Sequence, residues 1–170
     1  MMVSQDTKTV DTQGRDHLQG GTTRVIKFRG KAVEDDDFFS IKKGNWYCGY
    51  ITTVKNHEGK IEWWIENDSG PAVQVDPTTV GQFIGDMVAT ELYEGDILKI
   101  TRSADAKLDI EDVTYHEIVY QAEQHYPAFD LSPYLCDEQN GINFALTTHG
   151  ISAEVAGNIH DNPELMGEVA

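Results

Sequence analysis

The chain has 170 residues, of which 39% are hydrophobic, and its formal net charge is -16. This length fits one domain with extensions and the hydrophobic share is enough for a buried core, while a mean hydropathy of -0.44 excludes a chain that lies mostly in a membrane. The excess of acids disfavours direct binding to DNA or RNA, because proteins recognise the phosphate backbone with cationic groups that displace its counterions.

The first 23 residues are predicted to form a flexible N-terminal arm. Segment 1–23 is rich in Gln, Asp, Thr and Gly and contains no periodic apolar pattern and no apolar stretch typical of a signal peptide. No part of the chain approaches the roughly 18 apolar residues that a membrane-spanning helix needs. We therefore expect a protein of the bacterial cytoplasm without a membrane association, in which Cys48 and Cys136 are free thiols.

The first strand is predicted at residues 25–29. A basic cluster runs along this segment and predicts a small positive stripe on one face; it consists of Arg24, Lys27, Arg29 and Lys31. We interpret the stripe as a solvated edge that resists strand pairing, and a phosphate site remains the alternative. The acidic run at 34–37 that follows indicates an exposed loop rather than a metal site.

Two segments rich in aromatic and β-branched residues, 45–54 and 61–65, predict a pair of strands. Asn56 and Gly59 lie between them, and both residue types suit the connection of a β-hairpin. This is the clearest hairpin in the chain.

The aromatic side chains of this hairpin are candidate binding residues. They include Trp46, Tyr47, Tyr50, Trp63 and Trp64. Because Trp63 and Trp64 are adjacent in a strand, their side chains must point to opposite faces of the sheet. We expect at least one ring outside the main core, where it would form a contact surface. The alternative, that the fold covers both faces, stays open.

A short strand is predicted at 72–75, followed by a single helical turn. Asp76 suits the N-cap of this turn, and Pro77 suits its first position because a proline there loses no hydrogen bond. Gly81 and Gly85 then predict a tight excursion of the chain that needs residues without a Cβ.

Glu94 and Asp96 flank Gly95 and precede a predicted strand at 97–100. Two carboxylates at this spacing suit glycosidic or metal-assisted chemistry, and an enzyme or small-ligand site at Glu94 and Asp96 is therefore one hypothesis. We favour a structural interpretation, because acidic side chains in a turn accept hydrogen bonds from nearby backbone N–H groups.

Further strands are predicted at 113–122, 143–147 and 153–159, and no segment has the periodicity of a long amphipathic helix. Many short strands at short intervals predict a mainly β fold, namely a barrel-like, strongly twisted antiparallel sheet with short helical turns.

Catalytic and metal motifs are absent from the sequence. It contains neither a phosphate-binding loop nor a dinucleotide fingerprint nor a nucleophile elbow. The densest group of metal-binding residue types is His116, Glu117, Glu123 and His125. It lacks the spacing of a helical zinc motif, and strand alternation places His116 and Glu117 on opposite faces. We therefore predict no catalytic residue, no metal and no cofactor.

Four segments carry a resemblance to a known family; they are 26–31, 75–83, 92–100 and 157–165. Together they resemble the YopX family of phage and prophage proteins. The resemblance implies a mostly β, barrel-like protein of unknown function, and it transfers no catalytic residue. Segment 85–91 lacks the Lys, Asn and Gly turn usual between the central motifs, and 103–112 looks specific to this chain.

These observations predict an arm at 1–23, a single YopX-like domain at 24–166 and a tail at 167–170. The favoured function is a phage accessory protein that binds an unidentified protein partner and has no catalytic activity, and a homo-oligomer is expected because barrel-like domains with exposed strands often associate. The alternatives are the enzyme or small-ligand protein and an acidic mimic of nucleic acid. The candidate site residues are Trp46, Tyr50, Trp63, Trp64, Glu94 and Asp96.

Overall fold

The computed structural model describes residues 25–67, 70–87, 90–105, 110–121, 128–135 and 140–167. The predicted arm at 1–23 and residues 168–170 of the predicted tail lie outside the described residues, as do Cys136, Glu123 and His125. Among the described residues the chain is mainly β, as predicted.

Ten strands in the described part of the chain form two antiparallel sheets. The first sheet has the order β4-β3-β2-β1-β5-β6 and consists of β1 Phe28–Lys31, β2 Trp46–Lys55, β3 Ile61–Glu66, β4 Val73–Val75, β5 Gly81–Met87 and β6 Thr90–Tyr93. The second has the order β10-β7-β8-β9 and consists of β7 Asp96–Asp105, β8 Ile110–Tyr120, β9 Phe129–Ser132 and β10 Ile151–Asn158. The described residues also form one helix, α1 Gly141–Thr147, and two 3-10 turns, Pro77–Thr79 and Pro163–Gly167.

The described strands do not close into a barrel, so the barrel-like single sheet is not confirmed. The chain leaves the first sheet for the second at Glu94 and Gly95, where a turn was predicted. The Glu94 N–H donates to Gln82 O in β5, and the Gly95 N–H donates to Ile118 O in β8. Gly95 has a φ of 82°, a left-handed conformation that favours glycine. This turn therefore holds the two sheets together.

The aromatic hairpin is confirmed. β2 and β3 pair from Tyr50 opposite Glu66 to Lys55 opposite Ile61. In the loop, the Asn56 side-chain oxygen accepts from the Glu58 and Lys60 N–H groups. The connection is thus closed by the hydrogen bonding that makes asparagine common in turns.

Asp76 caps the 3-10 turn as predicted, since its carboxylate accepts from the Thr78 N–H at 2.9 Å. The predicted excursion at Gly81 and Gly85 is wrong. Both glycines belong to β5, whose pairing with β6 is irregular between Phe83 and Gly85. A Cβ at Gly81 would lie 2.4 Å from Glu94 O. The glycine therefore permits the close approach of two segments of the chain and does not mark an excursion.

β1 is an interior strand and not the predicted solvated edge, because it lies between β2 and β5. A strand between two neighbours has its backbone groups paired on both sides and needs no cations to prevent further pairing. The basic stripe along β1 therefore has another role.

The strand predicted at 143–147 is the helix α1. Asn140 caps it by accepting from the Asn143 N–H at 3.0 Å, and the buried Ala145 packs it against the core. A short apolar run does not distinguish a buried strand from a buried helix by its periodicity. Tertiary packing decided the outcome here.

Two clusters of buried side chains form the core. The larger lies between the second sheet, α1 and the β5–β6 end of the first sheet, and comprises Met87, Leu92, Leu98, Ile100, Ile118, Leu131 and Ala145. The smaller covers the inner face of the first sheet and comprises Ala32, Ile41, Ile65, Val73 and Val75.

Among the described residues, no helix has the length and apolar character needed to cross a membrane.

Candidate functional site

Three of the predicted aromatic residues share the outer face of the first sheet, the face opposite the smaller core cluster. Trp46 and Tyr50 are separated by an even number of positions in β2, so their side chains lie on the same face of the sheet. The register places Trp64 opposite Thr52, on that same face. Trp63 lies on the inner face and packs against the smaller cluster. The strand register thus separates the two adjacent tryptophans.

The basic stripe of β1 also lies on this outer face, and each of its described cations contacts a carboxylate. The ion pairs are Lys27 with Glu91, Arg29 with Asp96 and Lys31 with Asp161. The carboxylates come from β6, from the start of β7 and from the turn that follows β10. The stripe is therefore neutralised within the fold, and this geometry supports a structural role over the phosphate-site alternative.

Arg29 lies at the centre of the stripe. Its Nη2 is 2.6 Å from Asp96 Oδ1, and its guanidinium lies 4.6 Å from the ring centroid of Trp46 and 4.9 Å from that of Tyr93. Asp96 also accepts from the Tyr93 N–H at 2.8 Å. Burial raises the pKa of Asp96, while the Arg29 charge and the Tyr93 N–H oppose the rise. The Asp96 carboxylate is thus engaged in holding the turn and the arginine.

Trp46 and Asp161 cover the Lys31 end of the stripe. The indole Nε1 donates to Asp161 Oδ2 at 2.7 Å, and the Lys31 ammonium lies 5.2 Å from the Trp46 ring centroid. Hydrogen bonding from Lys31 is the largest cause that lowers the pKa of Asp161, which falls to about 2. The turn at 158–162 therefore covers this end of the outer face.

Glu94 does not join Asp96 on Arg29 through its carboxylate. Only its backbone oxygen approaches the arginine, at 3.4 Å from Nη2. Burial raises the pKa of Glu117, and the Glu94 charge raises it further. The nearness of Glu94 and Glu117 was missed in the sequence, where no local signal reveals it, since it depends on how β8 packs beside the turn.

His116 is buried and has hydrogen-bond partners on both ring nitrogens. Nδ1 donates to Pro133 O at 2.6 Å, and Nε2 is 2.8 Å from Thr114 Oγ1. Burial is the largest cause that lowers the pKa of His116, which favours the neutral imidazole. Within the described ranges, no group of three or more His, Cys, Asp or Glu side chains is placed to hold a metal ion.

The part of the outer face that lies on β2 and β3 is named the hairpin face, and it consists of Tyr50, Val54, Glu62, Trp64 and Glu66. Glu62 and Trp64 are half-buried, and the indole Nε1 of Trp64 is buried without a hydrogen-bond partner among the described residues. Tyr50 is 55% exposed and Val54 is 50% exposed. Glu62 accepts from Asn56 Nδ2 and Glu66 accepts from Thr52 Oγ1. Neither carboxylate pairs with a lysine or arginine among the residues that the structure describes. The hairpin face is therefore aromatic and acidic.

Comparison with protein families gives one match, the model described as YopX protein, over residues 24–167. A search of the curated proteins and a search of the solved structures find no significant match. The match covers nearly the whole chain and includes every described strand. The chain belongs to the YopX family.

Proposed function

We propose that this chain is a phage- or prophage-encoded accessory protein that acts in the bacterial cytoplasm by binding another protein through the hairpin face. The observation that carries the proposal is the exposure of Tyr50 and Val54 beside two carboxylates that have no cationic partner in the described part of the chain. Tyrosine provides a large contact area at a small entropic cost, which is why it is frequent in interfaces.

The charge of the hairpin face indicates the chemistry of the partner. Glu62 and Glu66 lie on the same face as Trp64 and Tyr50, and the whole chain carries -16. Arginine pairs with carboxylates and also stacks on aromatic rings, so an arginine-bearing surface matches both components of the face. We therefore propose a basic protein partner.

The geometry of the carboxylates favours binding over catalysis. A general acid or base must be free to exchange a proton with a substrate, whereas Asp96 is 3% exposed in its side chain and contacts Arg29. Two surface clefts of the described residues lie elsewhere, one beside His116 and one beside Thr79, and neither is lined by Glu94 or Asp96.

Affinity capture from a lysogenic host tests the proposal. Immobilised wild-type protein is expected to retain a specific basic protein, and Tyr50→Ala is expected to retain much less of it. Tyr120→Ala is the matched control, because Tyr120 is also about half exposed but lies in the second sheet. Equal retention by both variants would place the interface elsewhere, and a protein that retains no partner yet turns over a small substrate would refute the proposal.

A further inference from the structure

A surface cleft lies on the second sheet, where its two central strands, β7 and β8, meet the segment after β9. It is named the Arg102 cleft and has a volume of about 270 Å³; its lining includes Arg102, Thr114, His116, Pro133, Tyr134 and Leu135. This volume is just below the range of roughly 300–1,000 Å³ that is usual for ligand pockets, so the cleft suits a small molecule or the end of a chain.

Arg102 differs from the other partly buried cations. Among the described residues, the partly buried lysines and arginines are Lys27, Arg29, Lys31, Lys99 and Arg102. Every one of them except Arg102 has a carboxylate within ion-pair distance in the described part of the chain. In a chain with 29 acidic residues, a sheltered arginine without a carboxylate among the described residues is unexpected; Asp137 and Glu138, which follow Leu135, lie outside those residues.

The guanidinium of Arg102 also has unused hydrogen-bonding capacity. Its Nη2 donates to Leu135 O at 3.2 Å, and its buried Nε has no partner among the described residues, as is also true of Arg29 Nε. Because Nε is buried, a ligand in the cleft would bind the fork formed by the two Nη groups, which carry four of the five N–H donors of the guanidinium. Carboxylates match this fork because they can accept two parallel hydrogen bonds from it.

The other walls of the cleft indicate which chemical group of a ligand would lie beside the carboxylate. Pro133, Tyr134 and Leu135 contribute apolar surface on one side. The imidazole of His116 has both nitrogens engaged, with Pro133 O and with Thr114 Oγ1, so it adds no free donor in its neutral form. The cleft therefore presents one cationic fork beside an apolar wall.

We propose that the Arg102 cleft binds a carboxylate that carries an apolar or aromatic group, with the guanidinium of Arg102 as its charged partner. The carboxylate belongs either to a free small molecule or to the C-terminus of a peptide. The site lies on the second sheet, so it is independent of protein binding through the hairpin face.

Titration of the full chain with benzoate, followed by NMR of the arginine Nε–H signals, tests this site. Benzoate is expected to shift the Arg102 signal saturably, and benzamide, which has the same shape without the charge, is expected to leave it unchanged. A peptide Gly-Gly-Phe with a free carboxylate and the same peptide with an amidated end distinguish the two sources. Tighter binding of the free-acid peptide than of benzoate identifies a chain terminus, and the reverse order identifies a small molecule.

Isothermal titration calorimetry measures the affinity of the variants, since Arg102→Met has no Arg102 signal. Arg102→Met is expected to weaken benzoate binding by at least about tenfold, because charge-assisted hydrogen bonds to the carboxylate are lost. Lys60→Met is the control, since it removes one positive charge from the distant hairpin loop and is expected to leave the affinity unchanged. Tyr134→Ala removes an exposed ring from the cleft wall and is expected to weaken binding while the fold persists. Equal shifts with benzamide, equal affinities of Arg102→Met and Lys60→Met, or a response to inorganic phosphate but not to benzoate would overturn the proposal.

Discussion

Arg29 on β1 and Asp96 at the start of β7 form an ion pair that joins the two sheets, with Nη2 and Oδ1 2.6 Å apart. Their side chains are only 12% and 3% exposed, so both charges have largely lost their hydration. Each charge neutralises the other, and the Trp46 and Tyr93 rings lie against the guanidinium and shield it from water. A polar contact thus helps to fix the junction where the chain changes sheets.

Replacement of Asp96 by Asn is expected to destabilise the protein by roughly 3 kcal/mol. The substitution leaves the Arg29 charge buried without its counter-charge, and breaking one side of a buried ion pair is much more costly than removing both. Urea unfolding monitored by tryptophan fluorescence measures the loss. The double variant Arg29→Met with Asp96→Leu is expected to recover part of it.

The control for this prediction is Asp37→Asn. Asp37 pairs with Lys42 on the surface, where both side chains are well exposed. Such pairs contribute less than about 1 kcal/mol because water screens them. An equal loss of stability in Asp37→Asn and Asp96→Asn would show that the Arg29–Asp96 pair has no special weight.

Asp161 is expected to make stability depend on acid pH. Its pKa is about 2 in the folded protein against an ordinary value of 3.8, mainly because Lys31 donates to it. A carboxyl with a lowered pKa stabilises the folded state above its unfolded pKa, and this contribution is lost as the pH falls from about 4 towards 2. In Asp161→Asn the free energy of unfolding should therefore depend less steeply on pH in this window. Because the side chain is 40% exposed, we expect a modest difference, and identical pH profiles of variant and wild type would contradict it.

Local chemistry made part of the fold predictable from the sequence. Asn56 and Gly59 indicated the hairpin, and Asp76 with Pro77 indicated the capped turn, because these residues act on their own neighbours in the chain. The assignment of 143–147 to a strand failed because contacts with the core favour the helix and because the N-cap at Asn140, a local signal, was missed.

The pairing of strands was not predictable in the same way. β1 became an interior strand because β5, some 50 residues later, pairs with it, and nothing in 25–31 specifies that neighbour. Asp96 and Asp161 likewise reach the basic stripe from distant parts of the chain, from β7 and from the turn after β10. The sequence identified the cations and aromatic residues of the candidate site and also Asp96, but the pairing of the cations with Glu91, Asp96 and Asp161 was visible only in three dimensions.

Gly49→Ala is expected to cost about 3 kcal/mol or more. A Cβ at this position would lie 2.0 Å from Glu66 O and 3.2 Å from Ile65 Cγ2, so the paired strands β2 and β3 would have to move apart. Thermal unfolding compares this variant with Thr53→Ala, an exposed position on the same strand where a loss of at most about 1 kcal/mol is expected. Similar losses at the two positions would mean that the hairpin adjusts easily to the added methyl group.

Asp130 is expected to be essential for the docking of α1. It is 1% exposed, and its Oδ1 accepts from the Gly141 N–H at 2.7 Å and from the Leu131 N–H at 2.8 Å. Asp130→Ala leaves both N–H groups buried without this acceptor, for which we expect a loss of roughly 3 kcal/mol. Asn143→Ala, on the exposed side of the same helix, is expected to change stability by less than about 0.5 kcal/mol. Urea unfolding measures both, and a loss in Asp130→Ala no larger than in Asn143→Ala would show that core packing alone holds the helix.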